Sequence, residues 1–151
     1  MSHPAVEASF SLGAGGFTVT AELALDDGVL VLFGPSGSGK SLSIKALAGL
    51  IRPERGRIRI AGTTFFDSDA KVNVPAHERR IGYVPQMHAL FPFRSVAENV
   101  AFGLPRRERR ADNPKVLALL EELGLAHRAA EHPASLSGGE RQRVALARAL
   151  A

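Results

Sequence analysis

The sequence predicts an α/β chain: a mostly parallel sheet carrying helices, preceded by antiparallel strands and interrupted by a helical insert. Three observations predict it. The run Val29-Leu30-Val31-Leu32-Phe33, apolar with β-branched and aromatic members, leads into the glycine loop Gly34 to Ser41 and then into an apolar helix, the order of a buried parallel strand, turn and helix. Residues 16 to 25 alternate apolar with polar, as a half-buried strand does. From Ser95 the pattern turns helical and stays so to about residue 135.

In chain order, Phe17, Val19, Ala21, Leu23 and Leu25 share one face, with Thr18, Thr20 and Glu22 opposite. Asp26-Asp27-Gly28 turns this antiparallel strand into the apolar run. The helix that follows carries apolar side chains from Leu42 to Ile51, until Pro53 forbids continuation. Arg57 to Ala61 alternates again, and Thr63 to Pro75 reads as a strand end at Phe65-Phe66 followed by a polar loop. Ile81-Gly82-Tyr83-Val84 is a second short apolar strand, broken by Pro85 and followed by Gln86. Leu90-Phe91-Pro92-Phe93 is an apolar group among loop residues, either local core or an exposed docking patch. Ser95 and Glu98 have the spacing of a capping box; Asn113-Pro114 is an N-cap with proline at the first helical position, and Gly124 stops that helix. The domain boundaries expected from this pattern are 1–94 for antiparallel strands and loop-bearing core, 95–140 for the helical part, and 141–151 for a final helix.

Composition sets the class. With 151 residues, 45% hydrophobic and 23% charged, the chain is one soluble-type domain with a real core. No apolar run approaches the roughly 18 residues that span a bilayer, and Met1-Ser2-His3-Pro4-Ala5 lacks the regions of a signal peptide, so the chain reads as cytoplasmic. Zero cysteines exclude disulfides, thiolate metal sites and a cysteine nucleophile. The net charge of +4 admits a nucleic-acid partner, but part of it sits in Arg106-Arg107-Glu108-Arg109-Arg110, a solvated linker without interleaved aromatic residues. His127 and His132 have no spaced carboxylate or histidine beside them and read as surface residues.

The loop Gly34-Pro35-Ser36-Gly37-Ser38-Gly39-Lys40-Ser41 is a complete G-x-x-x-x-G-K-[ST] motif. Its glycines let successive backbone N–H groups converge on one anion, and the helix beginning near Gly39 adds its positive dipole end. Lys40 is the residue to reach the β- and γ-phosphates of a nucleoside triphosphate, and the Ser41 hydroxyl the one to hold Mg²⁺. Leu42 completes the run of amides. A second helix start, Leu136-Ser137-Gly138-Gly139-Glu140-Arg141-Gln142, has a capping box in Ser137 and Glu140. Capping does not explain Gly138 and Gly139, which cost a helix roughly 1 kcal/mol each relative to alanine. Bare amides beside a serine hydroxyl suit close approach of an anion, so the chain holds two phosphate-binding helix starts, which a head-to-tail pair of chains brings to one nucleotide.

These motifs together resemble the nucleotide-binding subunit of the ATP-binding-cassette (ABC) transporters, a P-loop NTPase family. The phosphate loop, the glutamine after Tyr83-Val84-Pro85, the Leu90-Phe91-Pro92 segment and the Leu136 to Gln142 signature occur in that family's order, from about residue 17 to the end. The resemblance implies a dimer that sandwiches two ATP molecules with Mg²⁺. Gly34 to Leu42 would bind one nucleotide, while Ser137, Gly138, Gly139 and Glu140 would face the partner's. It implies catalytic roles for Lys40 and Gln86, with Gln86 sensing Mg²⁺ together with Ser41. It further implies a membrane-spanning permease docked near Gln86 and Leu90 to Phe93, a cytoplasmic position on the inner face of the membrane, and no nucleic acid. Val74-Pro75-Ala76-His77-Glu78-Arg79-Arg80-Ile81-Gly82-Tyr83 looks most like the molybdate importers. The family's adenine-stacking aromatic has two candidates, Phe10 and Phe17.

The family continues past the signature helix with a strand ending in an aspartate and a glutamate and with a switch histidine. The expectation is therefore that this polypeptide alone hydrolyses ATP negligibly and leaves apolar faces and strand edges uncovered. Two alternatives stay open at this point: a non-catalytic nucleotide-binding module, and a soluble ATPase acting on nucleic acid.

Overall fold

The computed structural model describes residues 4–151, with backbone only at Ala14; Met1 to His3, part of the stretch read for a targeting signal, lie outside the described residues. Two compact units succeed one another, the first ending at Ile81 and the second running from Gly82 to Ala151.

The first unit is built on five antiparallel strands: β1 (Val6–Ala14), β2 (Phe17–Leu25), β3 (Arg55–Ile60), β4 (Thr63–Asp67) and β5 (Val72–Asn73), in the spatial order β2-β1-β3-β4-β5. β1 and β2 pair along their whole length, from Val6 opposite Leu25 to Ala14 opposite Phe17. The two-residue turn between them is Gly15-Gly16, both at positive φ, the geometry a tight right-twisted hairpin demands. The alternation read from residues 16 to 25 is present, with Val19 and Ala21 buried and Thr18, Thr20 and Glu22 exposed. β1 adds Ala8, Phe10 and Leu12 to the same face, and β3 and β4 add Ile58, Phe65 and Phe66. Each large side chain buried here contributes roughly 1.5–3 kcal/mol.

Helix α1 (Lys40–Leu47) places Ala46 on this core. It ends earlier than the sequence pattern suggests. Gly49, at φ 78°, closes it: Gly49 N–H donates to Ala46 O (3.1 Å) and Leu50 N–H to Lys45 O (2.9 Å), a Schellman ending. The buried Arg79 side chain caps the same end. Its Nη1 donates to Ala46 O (2.9 Å) and Leu47 O (2.8 Å), its Nε to Val74 O (2.8 Å), and the guanidinium stands 5.6 Å from the Phe65 ring centre. A cation at a helix C-terminus opposes the negative dipole end, so this arginine fixes α1 from the end opposite the glycine loop.

Two expected strands are not formed. Val29 to Phe33 and Ile81 to Val84 carry no strand, and Val29, Val31 and Phe33 are 87%, 76% and 100% exposed. A strand exists through its ladder, and no described residue supplies hydrogen-bonding partners to either segment; apolar composition alone cannot fold them. The polar loop after Phe66 is shorter than expected, because β4 continues to Asp67 and β5 pairs with it. Asp67 closes the turn between them, its Oδ1 accepting the amides of Asp69 (3.0 Å) and Ala70 (2.9 Å) and its Oδ2 accepting Arg57 Nε (2.6 Å).

The second unit packs three helices, α2 (Val96–Ala101), α3 (Pro114–Glu122) and α4 (Gly138–Leu150), around Val96, Val100, Leu104, Val116, Leu120 and Val144. The caps read from sequence are formed. Ser95 and Glu98 exchange both capping-box bonds, Asn113 Oδ1 accepts the Lys115 amide (2.9 Å), and Gly124 follows α3 at φ 66°. Asn99, fully buried on α2, ties down the preceding loop: Oδ1 accepts Phe91 N–H (2.8 Å), and Nδ2 faces the carbonyls of Phe91, Arg94 and Ser95 at 3.0–3.1 Å. No described helix is long and apolar enough to cross a membrane.

Candidate functional site

The glycine loop passes directly into α1, whose N-cap is Gly39 at φ 89° and ψ 2°. Side-chain residues avoid this left-handed conformation. Space demands glycine as well, since a Cβ there would lie 2.6 Å from Val19 Cγ1 of β2. Gly37, at φ 82°, makes the other sharp reversal. No side chain caps α1, in contrast to α2, α3 and α4. The amides of Lys40, Ser41 and Leu42 therefore have neither an intrahelical acceptor nor a cap. Ser41 is exposed beside them, whereas Leu42 turns its side chain to the core and offers only its backbone.

The Lys40 ammonium lies within the loop, donating to Gly34 O (2.8 Å), Pro35 O (2.6 Å) and Ser38 Oγ (3.3 Å). Ser38 N–H donates to Pro35 O (3.3 Å), and Ser36 stands exposed between them. The loop thus wraps its own cation, and beside it β2, residues 31–35 and Ser38 line a cleft of about 460 Å³. Convergent amides, a lysine and an adjacent serine hydroxyl can hold a polyphosphate and a hard, oxygen-seeking cation.

In the second unit, Gln86 is exposed in the turn closed by His88 N–H to Pro85 O (2.9 Å). Ser137 is the N-cap of α4; its Oγ accepts Glu140 N–H (3.3 Å), and Glu140 Oε2 accepts Ser137 N–H (2.7 Å). Arg128 adds a bond from Nε to Glu140 Oε1 (3.2 Å). These bonds hold the Glu140 carboxyl at a pKa of about 2, the contacts to Ser137 contributing most and the Arg128 charge less. Glu140 is therefore committed to the cap, while Ser137, Gly138 and Gly139 are exposed. A Cβ on Gly138 would meet nothing within 4 Å, and one on Gly139 only Arg143 Nη1 at 3.9 Å. Nothing in the fold of this chain requires glycine at either position.

The remaining candidates separate. Phe10 is 3% exposed within the sheet core, which removes it as a stacking surface; Phe17, at the hairpin, is 49% exposed. Phe93 is 93% exposed and Leu90 packs against the helical core, so the Leu90-to-Phe93 group divides between the two roles read for it. His127 and His132 are exposed, and no group of three metal-binding side chains occurs among the described residues.

Against known families, residues 21–151 match the ABC transporter model. The chain belongs to the ABC transporter family. Among its curated relatives, the molybdate/tungstate import ATP-binding protein WtpC of Archaeoglobus fulgidus is 43% identical over 136 residues, covering 90% of this chain and 54% of that protein. The molybdenum import ATP-binding protein ModC of Mesorhizobium japonicum is 48% identical over 139 residues, covering 90% and 37%, and ModC of Rhizobium meliloti is 43% identical over 145 residues, covering 96% and 40%. The chain thus spans about half or less of the length of these relatives. Arg79, Asn99, Arg128 and Arg148, which hold α1, the Phe91 loop, the α4 cap and the turn after Gln86 in place, carry no sequence signal of their own: each acts through contacts distant in sequence or through backbone carbonyls.

Proposed function

We propose that this chain is the ATP-binding part of an importer, working as a head-to-tail pair in which each copy supplies one helix start to the partner's nucleotide. The backbone N–H groups of Gly34 and of Ser36 to Leu42, in the turn that Pro35 helps to shape, bind the phosphates of ATP in cis together with the Lys40 ammonium. Ser41 and Gln86 provide oxygens for Mg²⁺, which neutralises phosphate charge when bound. Ser137, Gly138 and Gly139 meet the γ-phosphate held by the partner, with Glu140 fixing their geometry. Lys40 and Gln86 are the catalytic residues of this chain, and Phe17 is the adenine-stacking surface. A membrane-spanning permease docks near Gln86 and the exposed Phe93, which puts the pair on the inner face of the membrane. The names of the relatives support molybdate or a similar oxyanion as the solute.

The observation that carries this reading is the pair of glycines at the start of α4, which sit where alanine fits and would stabilise the helix. Bare amides kept at a stability cost point to an approaching ligand. Titration of the chain with a fluorescent ATP analogue tests the cis half: Lys40→Ala lowers the affinity about tenfold or more, the loss of one charge-assisted contact to phosphate. An unchanged affinity in a folded Lys40→Ala chain would refute the assignment.

A further inference from the structure

Gln86 hangs between two points fixed on one turn of α4. Before it, Gly82 lies so close to the helix that a Cβ would stand 2.8 Å from Ala149 O. After it, Arg148 takes two successive carbonyls with one guanidinium: Nη2 donates to His88 O (2.8 Å) and Nη1 to Ala89 O (2.7 Å). His88 and Ala89 are both left-handed, at φ 59° and 48°, a conformation that side-chain residues hold only when something outside them fixes it. The same guanidinium stands 5.5 Å from the centre of the Phe91 ring, whose backbone is bound on the other side by Asn99. The same turn of α4 also packs closely on Gly103, where a Cβ would lie 2.1 Å from Arg148 O. Arg148 pairs with no carboxylate among the described residues, so its hydrogen bonds are spent on the loop.

We propose that Arg148 is a positioning residue for Gln86, making the Gln86 turn and the Ser137-Gly138-Gly139 turn two ends of one rigid body along α4. The inference rests on the reading above, in which Gln86 attends the metal and the signature turn meets the partner's phosphate. The two turns are joined by eleven residues of helix, roughly 16 Å. Closure of the signature turn on a partner's nucleotide therefore moves the Gln86 turn of the same chain, through the two carbonyls that Arg148 holds. The planar fork is essential: a lysine ammonium is a point donor and cannot hold both carbonyls in one plane.

Two measurements test it. Hydrogen exchange on the chain reads the clamp: Arg148→Met speeds exchange of the amides from 86 to 91 about tenfold or more while the amides of α2 and α3 stay protected. ATP turnover in the assembled importer reads the function. Arg148→Met lowers kcat about 10²-fold, the scale of a misplaced catalytic group, with KM for ATP within about twofold of the parent. It adds nothing further to Gln86→Ala, because both act through one side chain. Arg148→Lys gives an intermediate kcat, and decides the matter should Arg148→Met expose α2 and α3 to exchange. Additive losses with Gln86→Ala, a raised KM at unchanged kcat, or full activity in either arginine variant would overturn the proposal. Lys40→Ala separates the two levels. If it leaves turnover intact, the reading of the nucleotide site fails; if it abolishes turnover while both arginine variants keep kcat, only the role of Arg148 fails.

Discussion

Replacing Gly138 and Gly139 by alanine should make the chain more stable and its paired function worse. Both residues lie in the first turn of α4, neither has a positive φ, and the nearest atom to either added methyl is Arg143 Nη1 at 3.9 Å. With no clash and no backbone strain, the helix gains up to about 1 kcal/mol per substitution. For a unit of this size that raises the midpoint of thermal unfolding by about 4–8 °C per kcal/mol. The same methyls stand over the amides assigned to the partner's γ-phosphate. Each copy loses two hydrogen bonds to a charged group, each worth about 1.5–3 kcal/mol; with both copies substituted, ATP-dependent pairing weakens by about 10⁴-fold or more. Circular dichroism melts and sedimentation of the ATP-loaded protein read the two effects separately, and ATP affinity of the unpaired chain stays at the parent value. A fall in the melting midpoint would show that the glycines serve the fold after all. Undiminished pairing in the double variant would remove the signature turn from the interface.

The two aromatic candidates respond in opposite ways. Phe17→Ala leaves the melt nearly unchanged and weakens ATP-analogue binding about 5- to 150-fold, the range of one lost base–aromatic stack, whereas Phe10→Ala costs about 3–5 kcal/mol of stability from the sheet core; a Phe17→Ala chain binding like the parent would discard Phe17. The start of α4 is acid-sensitive. The Glu140 carboxyl is depressed from 4.5 to about 2 in the folded chain, so the folded state binds fewer protons; the stabilisation is complete above pH 4.5 and is lost as pH falls from there towards 2. Protection of the 140 and 141 amides, taken relative to the intrinsic exchange rate at each pH, should fall across that window in the parent and stay level in Glu140→Gln.

What the sequence makes legible is what is local. The caps at Ser95–Glu98, Asn113–Pro114 and Ser137–Glu140 involve residues two or three apart, and each forms. The left-handed glycines of the phosphate loop follow from the motif itself. The strand β1 alternates as well as β2 does, but its outward residues include the small Ser9 and Ser11, which give little contrast, and it falls outside the predicted elements. Val29 to Phe33 shows the converse: composition announces a buried strand, and without a ladder the segment forms no strand and Val29, Val31 and Phe33 stay exposed. The clamps are illegible for a different reason. Arg79, Asn99 and Arg148 bond to main-chain carbonyls, and carbonyls are present at every residue, so no pairing of types in the sequence marks the contact.

The two helix starts assigned to phosphate are built on opposite principles, and the difference follows from whose phosphate each would meet. α1 has no side-chain cap, and its loop is held by the lysine proposed to meet the ligand, so its open amides are left for an anion to complete. α4 is capped by its own side chains, with only the Gly138 and Gly139 amides left open. Glu140 and Ser137 cap one another, Arg128 holds Glu140 from the side, and the Ser137 hydroxyl, already an acceptor from the Glu140 amide, keeps its hydrogen to donate. A surface that must recognise a nucleotide already held by another molecule gains from being ordered beforehand, because association then orders less of the chain. Glu140 serves that order without touching the ligand, and its replacement should loosen pairing through the cap alone. Glu140→Gln, which can still accept from the Ser137 amide, should therefore pair more tightly than Glu140→Ala at neutral pH, with equal ATP affinity in the unpaired chain; equal pairing of the two variants would mean that the carboxylate acts on the partner's nucleotide directly.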